Sequence, residues 1–185
     1  FEVVRLGAEG VGIGLSRRDR DQIALSALAS ADAAEFTERN FLTLSGGEQQ
    51  RVSFARALAQ LAAGKTLESD QILMLDEPIA SLDIRHQLAL LEHARTLAHS
   101  ERVLVIVVLH DLALAHSFAD RTLVLQKGRL ATIATSEAPL SRDLIERIFE
   151  VSIVAEHCHG TPWRQLEGSQ SSTAFSQQRR VGAST

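Results

Sequence analysis

The sequence predicts an α/β fold built on a parallel sheet flanked by helices, from three observations. Residues 72–75 are a short unbroken apolar run ending in Asp76-Glu77-Pro78, the pattern of a strand covered on both faces that then leaves its sheet. Residues 103–109 form a second apolar run, rich in β-branched side chains and closed by His110. Ahead of both, Ser45-Gly46-Gly47 opens a segment in which Val52, Ala55, Ala59 and Ala62 share one helical face.

In chain order, Phe1-Glu2-Val3-Val4-Arg5-Leu6-Gly7 lacks an initiating Met and reads as the middle of a domain. Gly7, Gly10, Gly12 and Gly14 lack a strand–turn–helix frame and read as a flexible connection. Residues 19–31 read as a helix with Ile23 and Ala27 on one side, and 33–39 as a second short segment. After the helix opened at Ser45, Gly64-Lys65-Thr66 mimics the end of a phosphate loop. Ala59 stands where that loop needs its first Gly, and the preceding segment is helical, so a loop insert is expected. Residues 81–83 form a turn, and Leu88, Leu91 and Ala98 mark a helix ending near His99-Ser100. The strand at 103–109 reads as central. A helix at 112–119 follows, then a hairpin of 122–126 and 129–134 around Lys127-Gly128, then a helix capped by Ser141 and running to 149.

The turn and the strand ends carry the chemistry. Ser45 is a good N-cap, and two glycines leave the backbone open. The first N–H groups of a helix lack internal partners and attract anions, so a phosphate fits there. Asp76 and Glu77 sit at the carboxyl end of a strand, where open α/β sheets bind ligands. One carboxylate can hold Mg²⁺ through water, and the next can orient or deprotonate a water that attacks a phosphate. Each feature alone also suits a plain role, a capped surface helix or a strand stopped by two solvated acids.

Composition narrows the class. At 185 residues and 45% hydrophobic, the chain suits one domain, or most of one, with a real core. A net charge of −4 gives no sign of a nucleic-acid surface. Cys158 is the lone cysteine, which offers no disulfide framework and fits a reducing compartment. No leader pattern marks the opening residues, and no apolar run approaches the roughly 20 residues that span a bilayer. His157-Cys158-His159 is expected to be a chance cluster, because adjacent residues do not converge on one metal. His86, His93 and His99 are too scattered around their helix to make a metal face.

Four segments stand in order: Leu44-Ser45-Gly46-Gly47-Glu48-Gln49-Gln50-Arg51, Leu73-Met74-Leu75-Asp76-Glu77-Pro78, Ala80-Ser81-Leu82-Asp83 and Val108-Leu109-His110-Asp111. They resemble the signature, Walker B, D-loop and switch-histidine motifs of ABC-transporter ATPases. The resemblance runs from about residue 1 to 156. Residues 56–61, 83–87 and 36–40 look most like the ATP-binding subunit of hemin importers, and siderophore and cobalamin importers share much of the pattern. Thr is usual in the family where this chain has Ile79, a change expected to be tolerated.

The resemblance implies a partial P-loop NTPase fold with a remnant helical subdomain. Residues 1–46 would be that subdomain, 47–156 the ATPase core and 157–185 a disordered tail. It also implies an amino-terminal truncation, with Walker A missing and negligible ATPase activity from the chain alone. Two such domains pair head to tail in the family, with ATP between them. Ser45, Gly46 and Gly47 would then contact the γ-phosphate on the partner, and Glu48 would support their turn. Asp76 would hold Mg²⁺, Glu77 would polarise the attacking water, His110 would contact the γ-phosphate and Asp83 would link the two sites. The implied partners are a second ATPase subunit, transmembrane permease subunits and, indirectly, a periplasmic heme-binding protein. The implied place is the cytoplasmic face of the inner membrane, held peripherally. Two other readings stand beside it: a non-catalytic regulatory fragment offering its signature face to an intact ATPase, and a soluble ATPase of translation or repair.

Overall fold

The two apolar runs pair side by side and in parallel. In the computed structural model, β1 (Ile72–Asp76) lies along β2 (Leu104–Val108), with Ile72 opposite Leu104 and Asp76 opposite Val108. The structure describes residues 1–10, 14–65, 70–135, 137–154 and 165–168. It forms two compact units, Phe1–Phe118 and Ala119–Thr185.

The first unit holds α1 (Glu2–Glu9), α2 (Arg17–Ser30), α3 (Gly46–Gly64), β1, α4 (Ile84–Ser100), β2 and α5 (Leu112–Phe118). Two short 3-10 turns, Ala34–Phe36 and Phe41–Thr43, lead from α2 to α3. Ser16 caps α2 reciprocally with Asp19, each side chain bonding the other's backbone N–H. Val4, Leu28, Phe36, Val52, Leu58, Leu73, Leu91 and Val103 belong to one continuous buried cluster. Ile79 is buried in the same cluster, so an apolar side chain at that position has a place to go.

Three expectations change. Gly7 is not part of a flexible connection. It is a buried residue of α1, and a Cβ there would collide with the carbonyl oxygen of Arg56 on α3. Gly64-Lys65 ends α3, which runs unbroken through Ala59 to Gly64, so it is a helix terminus rather than a loop insert. Among the described residues, the sheet is covered on one face only. Leu73 and Leu75 are buried, while Ile72 is 57% and Met74 72% exposed, as are Leu104, Ile106 and Val108 in large part. Helix α3 packs against β1 and α4 against β2, and alternation along each strand leaves the face of Ile72 and Met74 open.

The second unit begins with an antiparallel hairpin, β3 (Arg121–Gln126) and β4 (Arg129–Thr135). Lys127 and Gly128 both have positive φ, 50° and 72°, the two-residue turn that matches strand twist. Ser141 caps α6 (Arg142–Phe149) through the Leu144 N–H. Beyond it, β5 (Val151–Val154) pairs antiparallel with β6 (Gln165–Gly168), and β6 falls inside the span 157–185 expected to be a disordered tail. The His157-Cys158-His159 cluster and residues 169–185 lie outside the described residues. Among the described residues, no helix is long and apolar enough to cross a membrane.

Candidate functional site

The Ser45 turn is held from both sides. The Ser45 side chain accepts from the Glu48 N–H at 3.4 Å, and the Ser45 N–H donates to Oε2 of Glu48 at 2.6 Å. Nη1 of Arg39 donates to the other Glu48 oxygen at 2.8 Å. These bonds, the Ser45 backbone N–H foremost and then the hydroxyl and Arg39, hold the Glu48 carboxyl below its usual range. Glu48 is therefore committed to the turn. Gly46 and Gly47 carry no side chain across the first-turn N–H groups of α3.

The other cluster stands where β1 and β2 end. The Glu77 N–H donates to the Val108 carbonyl at 3.2 Å, adding a rung beyond the sheet. Glu77 takes a left-handed backbone, φ 45°, a conformation that costs a non-glycine residue on the order of 1 kcal/mol. That turn brings its carboxylate to His110, 33 residues away in sequence, with Nε2 of His110 2.5 Å from Oε1. Asp76, exposed at the end of β1, precedes it. A carboxylate and an imidazole so placed can share and pass a proton.

The site residues therefore fall around two clefts. An open cleft of about 500 Å³ is lined by Ser45, Gly46, Gly47 and Glu48 together with Ser81 and Asp83. A smaller one of about 180 Å³ is lined by Glu77, Gln87, His110 and Asp111. The loop 77–83 joins them. Asp83 is the N-cap of α4, accepting from the His86 N–H at 3.0 Å and facing its ring nitrogen Nδ1 at 2.8 Å. Those two bonds, the backbone one first, lower the Asp83 pKa.

Two glutamines escaped the sequence reading. Nε2 of Gln49 donates to the carbonyls of Leu44 (3.0 Å) and Phe41 (3.2 Å). Nε2 of Gln87 donates to those of Leu82 (2.9 Å) and Ile79 (3.2 Å). In both cases the glutamine stands four residues after the N-cap, Ser45 or Asp83, and reaches back five and eight residues. Both loops that enter a cleft are thus pinned by the same device. The signal available was that shared spacing from the cap.

No family model matches the chain. The hemin import ATP-binding protein HmuV of Bradyrhizobium diazoefficiens is 43% identical over 162 residues, 88% of this chain and 59% of that protein. HmuV of Agrobacterium fabrum is 45% identical over 151 residues, 82% of this chain and 56% of that protein. The chain is similar in sequence and fold to the ATP-binding subunits of ABC transporters. It spans somewhat over half the length of these curated relatives. Among solved structures, an inward-facing metal-chelate type ABC transporter matches with TM-score 0.68 at 23% identity, over 90% of this chain and 64% of that one, a likeness of fold. A dimeric ATP-binding cassette bound to ADP and Pi matches with TM-score 0.58 at 28% identity, over 70% of this chain and 56% of that one. The Ser45 turn and residues 72–77 and 80–83 are the segments whose sequence resembles the signature, Walker B and D-loop motifs.

Proposed function

We propose that this chain supplies the signature, Walker B, D-loop and switch-histidine parts of the ATPase of an ABC importer, with hemin as cargo. The observation that carries the reading is the meeting of Glu77 and His110 at the carboxyl ends of the parallel strands. In this account Glu77 orients and deprotonates the attacking water, and His110 steadies the carboxylate and faces the γ-phosphate. The first-turn N–H groups behind Ser45, Gly46 and Gly47 receive the γ-phosphate of ATP bound on a second copy. Asp83, at the lip of the same cleft, faces that copy. The division of these residues between two clefts suits a site completed by another chain.

Mg²⁺ fits the donors present. Among the described residues no group of three carboxylate, His or Cys ligands converges, and Mg²⁺ bound with ATP needs one or two carboxylates, its remaining ligands being water and phosphate. Asp76 is the carboxylate that would hold it, and the ion would neutralise charge on the phosphates. The curated relatives' names support hemin as cargo. Permease subunits, a periplasmic heme-binding protein and a peripheral place on the cytoplasmic face of the membrane belong to the same reading.

The test is ATP hydrolysis and hemin uptake by the assembled importer. Glu77→Gln is expected to lower turnover roughly a hundred- to ten-thousand-fold while ATP binding persists. Turnover retained in Glu77→Gln would remove the assignment. Uptake of another metal chelate in place of hemin would leave the ATPase and change the cargo.

A further inference from the structure

The D-loop cap has a second tether, and it begins at a strained residue. Helix α2 ends in a Schellman turn, with the Ala33 N–H on the Leu28 carbonyl at 2.9 Å and the Asp32 N–H on that of Ala29 at 3.2 Å. The residue after the cap in this turn takes the left-handed conformation and is usually glycine. Here it is Asp32, at φ 51°. A non-glycine residue kept at such a place points to a use for its side chain.

The side chain has one. Oδ2 of Asp32 lies 3.3 Å from Nε2 of His86 and 3.6 Å from Nη1 of Arg51. The Asp32 carbonyl also accepts from Arg51. The other imidazole nitrogen of His86, Nδ1, is the one that faces Asp83 at 2.8 Å. One ring thus stands between two carboxylates, each of its nitrogens facing one of them. Arg51 is itself fixed, over the Phe36 ring at 4.7 Å and beside Glu35 at 3.5 Å. Arg51 belongs to α3, the helix that the signature turn opens.

We propose that Asp32 and His86 are positioning residues: the bridge Asp32–His86–Asp83, anchored by Arg51, sets the D-loop cap against the signature helix. The proposal rests on the ATPase reading, in which Asp83 faces a second chain. Asp32 is largely exposed, so the bridge adds little to global stability. Its effect is local order.

The test is amide hydrogen exchange at Leu82, His86 and Gln87 of the full chain. The variants are Asp32→Gly, His86→Gln and the double. Glycine relieves the left-handed backbone, so an Asp32 with no role beyond the turn predicts a held or raised Tm and unchanged exchange. The bridge predicts a held or raised Tm with exchange at these amides faster by roughly two- to tenfold. His86→Gln accelerates the same amides, and the double variant does so no more than His86→Gln alone. Unchanged exchange in Asp32→Gly, or additive effects in the double, overturns the bridge. No nucleotide enters the measurement, so its outcome is independent of the Glu77→Gln turnover assay.

Discussion

Gly47 lies against the carbonyl of Ser81: a Cβ built on Gly47 would stand 2.7 Å from that oxygen. The Ser45 turn and the 77–83 loop therefore meet closely at the backbone, with no room between them for a methyl group. Gly46, one residue earlier, has room, its nearest neighbours being Ser81 side-chain atoms at 3.5 Å.

Gly47→Ala is expected to destabilise the fold by about 1–3 kcal/mol, the usual cost of overpacking against atoms that cannot withdraw. Gly46→Ala is expected to be near neutral in stability. Urea unfolding of both variants checks the contrast, and equal midpoints would contradict the contact.

The paired glutamines give a second expectation. Gln87→Leu leaves the Ile79 and Leu82 carbonyls without their side-chain donor, and Gln49→Leu does the same to Phe41 and Leu44. Each substitution is expected to cost about 1 kcal/mol. Faster amide exchange in the corresponding loop alone, measured for each variant, checks that the two devices act separately.

Stability is expected to fall with acid in two stages. Burial lowers the pKa of His93, half-buried with its ring edge-on to Phe54. The unfolded chain then binds the extra proton first, and stability is lost as pH falls below the ordinary 6.5. Glu48 and Asp83 have pKa values below their ordinary 4.5 and 3.8. Their contribution is complete above those values and disappears as pH falls through the lowered ones. Tm measured from pH 8 to pH 3 follows both stages, and His93→Gln is expected to remove the first alone.

The bare sheet face makes a fourth. Met74 and Ile106 project from it into solvent, and contiguous apolar surface of this kind drives association. Met74→Thr with Ile106→Thr is expected to raise the solubility of the isolated chain without lowering its Tm by more than a few degrees. Sedimentation across a concentration series measures it.

These features differ in how legible they were in the sequence. The strands showed as short unbroken apolar runs, four residues at 72–75 and seven at 103–109, and their ends showed because Asp76, Glu77 and His110 interrupt them. Ser45 showed because cap, glycines and Glu48 act locally. Gly7 did not, because its role is set by Arg56 on a distant helix. The open face of β1 did not, because an apolar run states that a strand can be covered, not what covers it. Asp32 did not, because nothing in its neighbours marks a left-handed residue that is not glycine. What local chemistry determines could be read, and what another element determines could not.

The central claim is that the Ser45 turn serves a nucleotide held by another copy, while Glu77 serves one held by its own. Complementation in the assembled ATPase tests it most directly. Ser45→Arg and Glu77→Gln are each expected to suppress turnover, and in this account mixed dimers of the two contain one intact composite site. The account predicts that mixing the two inactive variants restores ATP hydrolysis. A mixture as inactive as its parts would contradict it.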